Sequence, residues 1–458
     1  MTENDLMSSL VPLEEQSGCY DYKIHGLCVY SLSRDNLRYR YFRHKGIAFN
    51  TRPDKTKYGN AIKTFFVSLF HILKIILLQC KVDYVFHAFP RLEIINGEYI
   101  DKFSDPIIDN VGLKNYAIFQ YGRAGVHLTP RRHSKNVYYT DCLKIWLSIV
   151  KPLIYLWYSV FYNNTLRGLF DSLQKVYVDM PIDKKEIVFD FHCNYAYYRL
   201  YRLLLRKMKP KAIMGTCRDQ LYALFIAANK LGIKHFEFQH GITIGETGLY
   251  SGYRFSPLLP DFFLAFGEND PKTVYGVEES RIRNIGWALY DYLKDVVYDE
   301  QITEKDLLVV SDPEITEKLL DVVFVLAQET PDMVFHFRPH PLEILTEAQL
   351  EKIHSTDNVK LQNKNVNITL VLSKFNLVIG ENSTVLYEAL SMNKKVGRIG
   401  MNGLSPQWLN EEDSNYFWQI NNEKDFMEFV KADPSERKTK SIYSPFDKKM
   451  FLSVLEDE

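Results

Sequence analysis

Three short stretches hold residue types and spacings that could do chemistry. In FRPHP, residues 337–341, Arg338 and His340 each precede a proline. Pro339 and Pro341 fix φ at about −65° and donate no ladder hydrogen bond, so a strand has to stop there. Each also drives the residue before it toward extended geometry. The stretch predicts a stiff strand tip presenting a guanidinium, able to grip phosphate with two prongs, and an imidazole able to donate to a further oxygen. The plainer reading is a turn with an exposed histidine. The second stretch is Gln239–His240–Gly241, at the end of the strand-like IKHFEF. Gly241 permits a tight turn and the close approach of a ligand. His240 titrates near neutrality and could serve as a general base; a hydrogen-bonded structural histidine is the alternative. The third is Glu381–Asn382–Ser383–Thr384, between Gly380 and VLYEAL. Ser383 or Thr384 would cap a helix whose free N–H groups attract an anion. One turn in, Glu388 could reach a ribose hydroxyl. A plain capped helix and a solvated carboxylate explain the same residues. Glu246, after QHGITIG, is a further candidate acid or base, whereas Asp261 reads as a cap or turn before FFLAFG.

Regular elements are needed to hold these stretches, and the pattern becomes regular from about residue 184. KEIVFDFHC reads as a strand and is followed by a helical stretch ending LYRLLLRKMKP. KAIMGTC is strand-like, RDQLYALFIAANKLG is a helix closed by Gly232, and IKHFEFQHG is again a strand. After residue 300, DLLVVS, DMVFHFRPHP, NLVIG and KKVGRIG read as strands. EITEKLLDVVFVLAQETP and ENSTVLYEALSMN read as helices between them. Strand–helix–strand at this spacing predicts parallel sheets with helices on their faces. The segment GENDPKTVYGVEESRIRNIGWALYD is expected to be the linker and first strand of a second unit. Ligands of open parallel sheets bind outside the carboxyl ends of the strands, so the site is expected in the cleft between two units.

Composition narrows the function. The 458 residues allow two ordinary domains, and 46% hydrophobic with 25% charged residues is a globular balance. A formal net charge of −1 argues against a nucleic-acid partner. Aromatic residues are plentiful, 30 tyrosines and 29 phenylalanines; tyrosines could stack on sugar faces, though most are expected in the core. The six cysteines are scattered, with no C-x-x-C pair and no histidine at metal spacing, so no structural metal site is expected and a reducing compartment fits. The stretch MTENDLMSSLVPLEEQ lacks the basic-then-apolar build of a secretory signal, so a cytoplasmic location is expected. Neither a G-x-x-x-x-G-K-[ST] loop nor a G-x-G-x-x-G fingerprint occurs, which removes support for ATP hydrolysis and dinucleotide redox chemistry.

Two apolar segments approach the membrane criterion. Residues 64–80 are interrupted by Lys74, and 145–162 by Lys151 and Pro152. Buried helices are the first expectation; helices lying on the inner face of the plasma membrane are the alternative. Between them, Arg123, His127, Arg131, Arg132 and His133 form a basic stretch that could face anionic lipid or an anionic acceptor, or be a solvated loop.

Taken in order, Q-H-G at a strand end of one unit, then R-P-H-P and E-N-S-T…E-A-L in the next, resemble the two-domain glycosyltransferase architecture known as GT-B. The resemblance covers roughly residues 210–400. It is similar in particular to bacterial enzymes of capsule and surface-polysaccharide synthesis: sialyltransferases, Kdo transferases and CDP-glycerol glycerophosphotransferases. It implies an α/β fold of two Rossmann-like domains facing each other across a cleft, residues 1–268 on the acceptor side and 269–458 binding the nucleotide sugar. It also implies that Arg338 and His340 hold donor phosphate, Ser383 and Thr384 complete that pocket, and Glu388 binds ribose. His240 would face the acceptor as base, with Glu246 second. The implied reaction moves a sugar from a CMP- or UDP-activated donor to a surface polysaccharide or lipid-linked glycan. No metal or other cofactor is needed where helix N-termini and basic side chains neutralise the leaving phosphate. The chain departs from the glycerophosphotransferases in having Glu381–Asn382 where they carry aspartate-tyrosine. Glu381 and Glu388 are seven apart, against the eight of many retaining GT-B enzymes. The competing readings are a CDP-polyol phosphotransferase, a sugar-nucleotide 2-epimerase, and a non-catalytic membrane-associated assembly partner with the same fold.

Overall fold

The computed structural model describes residues 3–47, 58–78, 80–122, 125–241, 245–252, 256–267, 275–294, 296, 298–313, 315–341, 343–406, 415–436 and 443–456. The chain opens with α1 (Glu3–Gln16), a small hairpin of β1 (Lys23–Ile24) and β2 (Leu27–Cys28), α2 (Arg34–His44) and α3 (Tyr58–Leu78). Then come β3 (Tyr84–His87), a second hairpin of β4 (Glu93–Ile95) and β5 (Glu98–Ile100), α4 (Ser104–Val111) and β6 (Tyr116–Gln120). β7 (Val137–Tyr139) leads into four helices: α5 (Cys142–Ile149), α6 (Lys151–Phe161), α7 (Asn163–Val176) and α8 (Lys184–Met208). β8 (Ala212–Thr216), α9 (Arg218–Asn229), β9 (Lys234–Phe238), β10 (Phe262–Ala265) and β11 (Ile282–Asn284) follow.

The second half runs α10 (Ala288–Leu293), β12 (Asp306–Val310), α11 (Thr316–Glu329), β13 (Val334–Arg338), α12 (Glu347–His354), β14 (Val359–Leu361) and α13 (Ile368–Lys374). It ends with β15 (Leu377–Gly380), α14 (Thr384–Ser391), β16 (Lys395–Ile399), β17 (Trp418–Ile420), α15 (Glu423–Lys431) and α16 (Lys448–Glu456).

Two all-parallel sheets result, ordered β11-β10-β9-β8-β3-β6-β7 and β14-β13-β12-β15-β16-β17. Every residue of β8, β12, β15 and β16 is buried, the continuous pattern of strands covered on both faces by helices. This is the two-domain α/β architecture expected from the sequence. Strand order reverses at β3/β8 in the first sheet and at β12/β15 in the second, and such switch points are where ligands of open sheets bind. One apolar core joins the units: Phe86 and Ile285 belong to the same buried cluster as Val310, Leu370 and Leu386.

Three features differ from the sequence-based reading. KEIVFDFHC is the first third of α8 and not a strand. Asp183 caps it by accepting the Glu186 N–H at 3.2 Å, and its buried Ile187, Val188 and Phe191 continue at helical spacing into Tyr197, Tyr201 and Leu204. The strand expected to open the second unit, β11, pairs with β10 and closes the edge of the first sheet, so the 268/269 division cuts through the first unit. Residues 268–274 of that linker lie outside the described residues. The chain also returns at its end. The Ser444 N–H donates to Phe266 O at 2.8 Å, the Asp447 N–H donates to Ile285 O at 2.8 Å, and α16 buries Phe451 and Val454 in the shared core.

The described residues of the basic stretch before β7 lie against carboxylates. Arg131 is buried against Asp105, and Arg132 pairs with Glu98 at 2.9 Å. His127 lies 3.0 Å from Asp141, and His133 lies 3.3 Å from Asp109. Arg123 lies outside the described residues.

Candidate active site

On the second sheet, β13 and β15 flank β12, so their tips sit two strand spacings apart, about 10 Å, on one carboxyl edge. The β15 tip leads through Glu381–Asn382 into α14. Ser383 is the N-cap, its hydroxyl accepting the Val385 N–H at 3.3 Å, and Thr384 opens the helix half-exposed. Arg398, fully buried at the end of β16, holds this turn by donating to Glu381 O at 2.8 Å and to Asn382 Oδ1. Glu381 itself accepts the Ser405 N–H at 2.7 Å.

The β13 tip separates the two residues that the sequence paired. Arg338 is buried, and its guanidinium donates to the carbonyls of Asn363, Lys364 and Val366. The two-pronged phosphate grip expected of it is therefore taken up by the 363–366 loop; Arg338 is a clamp on that loop. Alternation along β13 explains this, since Phe335 and Phe337 enter one core while His336 and Arg338 point to the other face. His340 lies beyond the strand, half-buried at the edge. Its N–H donates to Glu343 Oε2 at 2.8 Å, and the Glu343 N–H donates back to His340 O at 2.8 Å. Glu343 Oε1 accepts from Ser311 and Thr316, tying the β13 tip to the β12 tip. Burial holds the His340 imidazole below its ordinary value against Asp312, with Arg91, Lys364 and Lys102 adding to the effect.

Across the cleft, Gln239 fixes the β9 tip by accepting the Phe266 N–H at 2.6 Å and donating to Gly241 O at 3.2 Å. His240 packs its ring against Phe89 and Phe103, with centroids 5.0 and 5.8 Å away. Burial, reinforced by the charges of Lys102 and Arg91, pushes its pKa down to about 3, so the imidazole is neutral. A Cβ placed on Gly241 would lie 3.7 Å from Thr384 Cγ2, so the β9 tip and the start of α14 face each other at van der Waals distance. Two strand ends, one from each sheet, thus meet over a single point.

Glu388, one turn into α14, is buried with Oε2 lacking a hydrogen-bond partner among the described residues. Burial raises its pKa to about 7, opposed by Lys102 and assisted by Glu93. Lys102 stands 3.8 Å from Glu93 Oε1, and Glu93 Oε2 accepts from Asn367, the N-cap of α13 in the second unit. Arg91 and Lys102, which follow β3 and the β4–β5 hairpin, therefore supply cleft charge felt at His240 and His340, and Lys102 also acts on Glu388. Sequence reasoning missed both because single basic residues in loops carry no spacing signal. Glu343 had one: a carboxylate three residues after His340, the separation at which side chains cap backbone N–H groups.

Glu246 is exposed on the 245–252 segment, where its N–H donates to Asn4 Oδ1 at 2.7 Å. Asp261 accepts the His235 N–H at 3.0 Å and supports the start of β10. Among the described residues no group of three or more His, Cys, Asp or Glu side chains is placed to hold a metal ion.

No family model and no curated protein matches this sequence. Solved structures do align with it. The UDP-GlcNAc 2-epimerase of Methanocaldococcus jannaschii covers 82% of this chain and 99% of its own, at 13% identity and a TM-score of 0.48. The UDP-GlcNAc 2-epimerase of Neisseria meningitidis bound to UDP-GlcNAc covers 82% and 99%, at 12% identity and 0.48. A glycotransferase of kitacinnamycin covers 82% and 94%, at 12% identity and 0.37. At this level of similarity neither the reaction nor the ligand of those proteins transfers to this chain.

Proposed function

We propose that this protein is a glycosyltransferase that moves a sugar from a nucleotide-activated donor, a CMP- or UDP-sugar, to a glycan or lipid-linked glycan acceptor of surface-polysaccharide synthesis. The observation that carries the reading is the meeting of the β9 tip with the start of α14, near Arg91 and Lys102, which lie over the Phe89 and Phe103 rings that touch His240, and one turn from Glu388, whose Oε2 has no partner among the described residues. In this reading the donor phosphate lies between His340 and the free N–H groups at Ser383–Thr384, and ribose hydroxyls donate to Glu388. The acceptor hydroxyl oxygen attacks the anomeric carbon, its proton passes to His240, and the bond from that carbon to the nucleotide phosphate breaks. Lys102, Arg91 and the α14 N–H groups take up the charge left on the phosphate. The bound anion also offsets the two cations that depress the His240 pKa, making the imidazole a better base when donor is present.

Saturation-transfer NMR and thermal shift with UDP, GDP, CMP and CDP test this reading. Binding of CMP or UDP, followed by sugar transfer from the matching donor, is expected. Turnover of a CDP-polyol to a polyol-phosphate product would replace the reading with phosphotransfer, and epimerisation of the donor sugar without transfer would replace it with an epimerase. Stabilisation by none of the four nucleotides would leave a non-catalytic assembly role.

A further inference from the structure

α3 is apolar on both its inner and its outer face. Ile62, Phe66, Phe70, Leu73 and Leu77, one stripe at helical spacing, are exposed, Phe70 at 65% and Leu77 at 72%. The opposite face packs on β7 and α5 and carries Thr64, Ser68 and His71. Each of these bonds to backbone there. Thr64 Oγ1 donates to Gly125 O at 2.7 Å, and Ser68 Oγ donates to Tyr139 O at 3.1 Å while accepting the Cys142 N–H at 3.0 Å. His71 Nδ1 accepts the Tyr139 N–H at 3.0 Å. A helix facing water turns its apolar stripe to the core and its polar residues out; α3 buries Ile72 and Ile75 beside these polar groups and still exposes a second apolar stripe.

α5 and α6 likewise expose apolar residues. α5 exposes Trp146 and Ile149, and α6, bent from it by 70°, exposes Leu153, Leu156 and Val160 while burying Ile154 and Tyr158. α5 packs against α3. Charge is one-sided. Residues 58–82 and 142–170 contain no aspartate or glutamate, and their charged residues are Lys63, Lys74, Lys81, Lys144, Lys151 and Arg167.

We propose that this face docks the protein on an anionic lipid bilayer, with α3 and α6 lying in the plane of the headgroups. The apolar stripes enter the acyl boundary, the exposed Trp146 and Trp157 sit at headgroup level, and Lys63 and Lys144 meet anionic lipid. α3 lies on the membrane and does not cross it, because its inner face is bonded to β7 and the loop after it and is packed in the fold. A second copy of the chain is a poorer occupant. An isologous contact would bring two lysine-bearing faces together, whereas anionic lipid complements them.

The test is flotation of the full chain with vesicles of phosphatidylcholine alone and of phosphatidylcholine with one-third phosphatidylglycerol, at low and high salt. The protein is expected to float with the anionic vesicles and to be released in part by salt. The variant Phe70→Glu/Leu153→Glu/Trp157→Glu should bind about tenfold less while keeping the parent's circular dichroism. Should that variant misfold, Lys63→Glu/Lys144→Glu leaves the apolar stripes intact and should lose only the preference for phosphatidylglycerol. Equal flotation of parent and variants, failure of the parent to float, or a parent dimer in sedimentation that the triple substitution dissociates without any vesicle binding would each overturn the proposal.

Discussion

Glu388→Gln is expected to stabilise the protein above neutral pH while costing it ligand. Burial raises the Glu388 carboxyl from the ordinary 4.5 to about 7. At about 1.4 kcal/mol for each pH unit, that gap corresponds to a penalty on the order of 3 kcal/mol for the ionised form in the folded protein. Below pH 4.5 the group is neutral whether the chain is folded or unfolded, and the penalty is absent. It grows as the pH rises from 4.5 to about 7 and is full above that, since the unfolded chain ionises first. A glutamine pays none of it at any pH. Scanning calorimetry of parent and E388Q at pH 5 and pH 8 should therefore show a small difference at the lower pH. At the higher pH E388Q should be more stable, its transition raised by about 3 °C, since the entropy of unfolding scales with the length of a chain whose two units share one core. Nucleotide affinity should move the other way, about tenfold weaker, because a charged acceptor for ribose hydroxyls is lost. A difference in stability that does not widen between pH 5 and pH 8 would refute the buried, unpartnered state of this carboxylate. Unchanged nucleotide affinity would remove its proposed role in binding.

The other predictions concern the cleft and its supports. Lys102→Ala should raise the His240 pKa from about 3, read as an earlier protonation in an NMR titration of the imidazole, and should weaken nucleotide binding; an unmoved titration would take Lys102 out of the site. His340→Ala should weaken nucleotide binding, whereas His240→Ala should leave binding intact and abolish turnover in a coupled transfer assay. Full transfer activity in both variants would contradict the assigned roles. Arg338→Ala strips three carbonyls of their donor and should cost about 3 kcal/mol in urea unfolding. Intact stability with lost nucleotide affinity would instead put that guanidinium on the ligand. Gly286 has φ +71°, and a Cβ there would press on the Pro445 carbonyl oxygen, so Gly286→Ala should lower the melting temperature by loosening the returning C-terminal segment.

Four of the six strands of the second unit, β12, β13, β15 and β16, and the tips after β9, β13 and β15 were legible because local signals agreed with the global fold. Fully buried parallel strands read as unbroken apolar runs, and the prolines of FRPHP and the Ser383 cap mark where those runs end. Which tip residues face a ligand was less legible. Arg338 and His340 share a motif, yet strand alternation turned the first into a loop clamp and left the second at the edge. The first 180 residues hid three strands of the first sheet. β3, β6 and β7 are three to five residues long, and β3 pairs with β8 from more than a hundred residues away, so no local period records their pairing. KEIVFDFHC misled because a short apolar run fits either period, and only its cap at Asp183 and its continuation to Met208 decide for a helix. Arg91 and Lys102 become a pair only when the β4–β5 hairpin folds between them.

The two-sheet site itself is tested most directly by a crystal structure of the protein with the nucleotide that gives the largest thermal shift. Phosphate oxygens are expected at His340 and at the N–H groups of Ser383–Thr384, ribose hydroxyls on Glu388, and the open side of the phosphate turned toward His240. A nucleotide bound elsewhere, or in the cleft with its phosphate away from the α14 N-terminus, would contradict it.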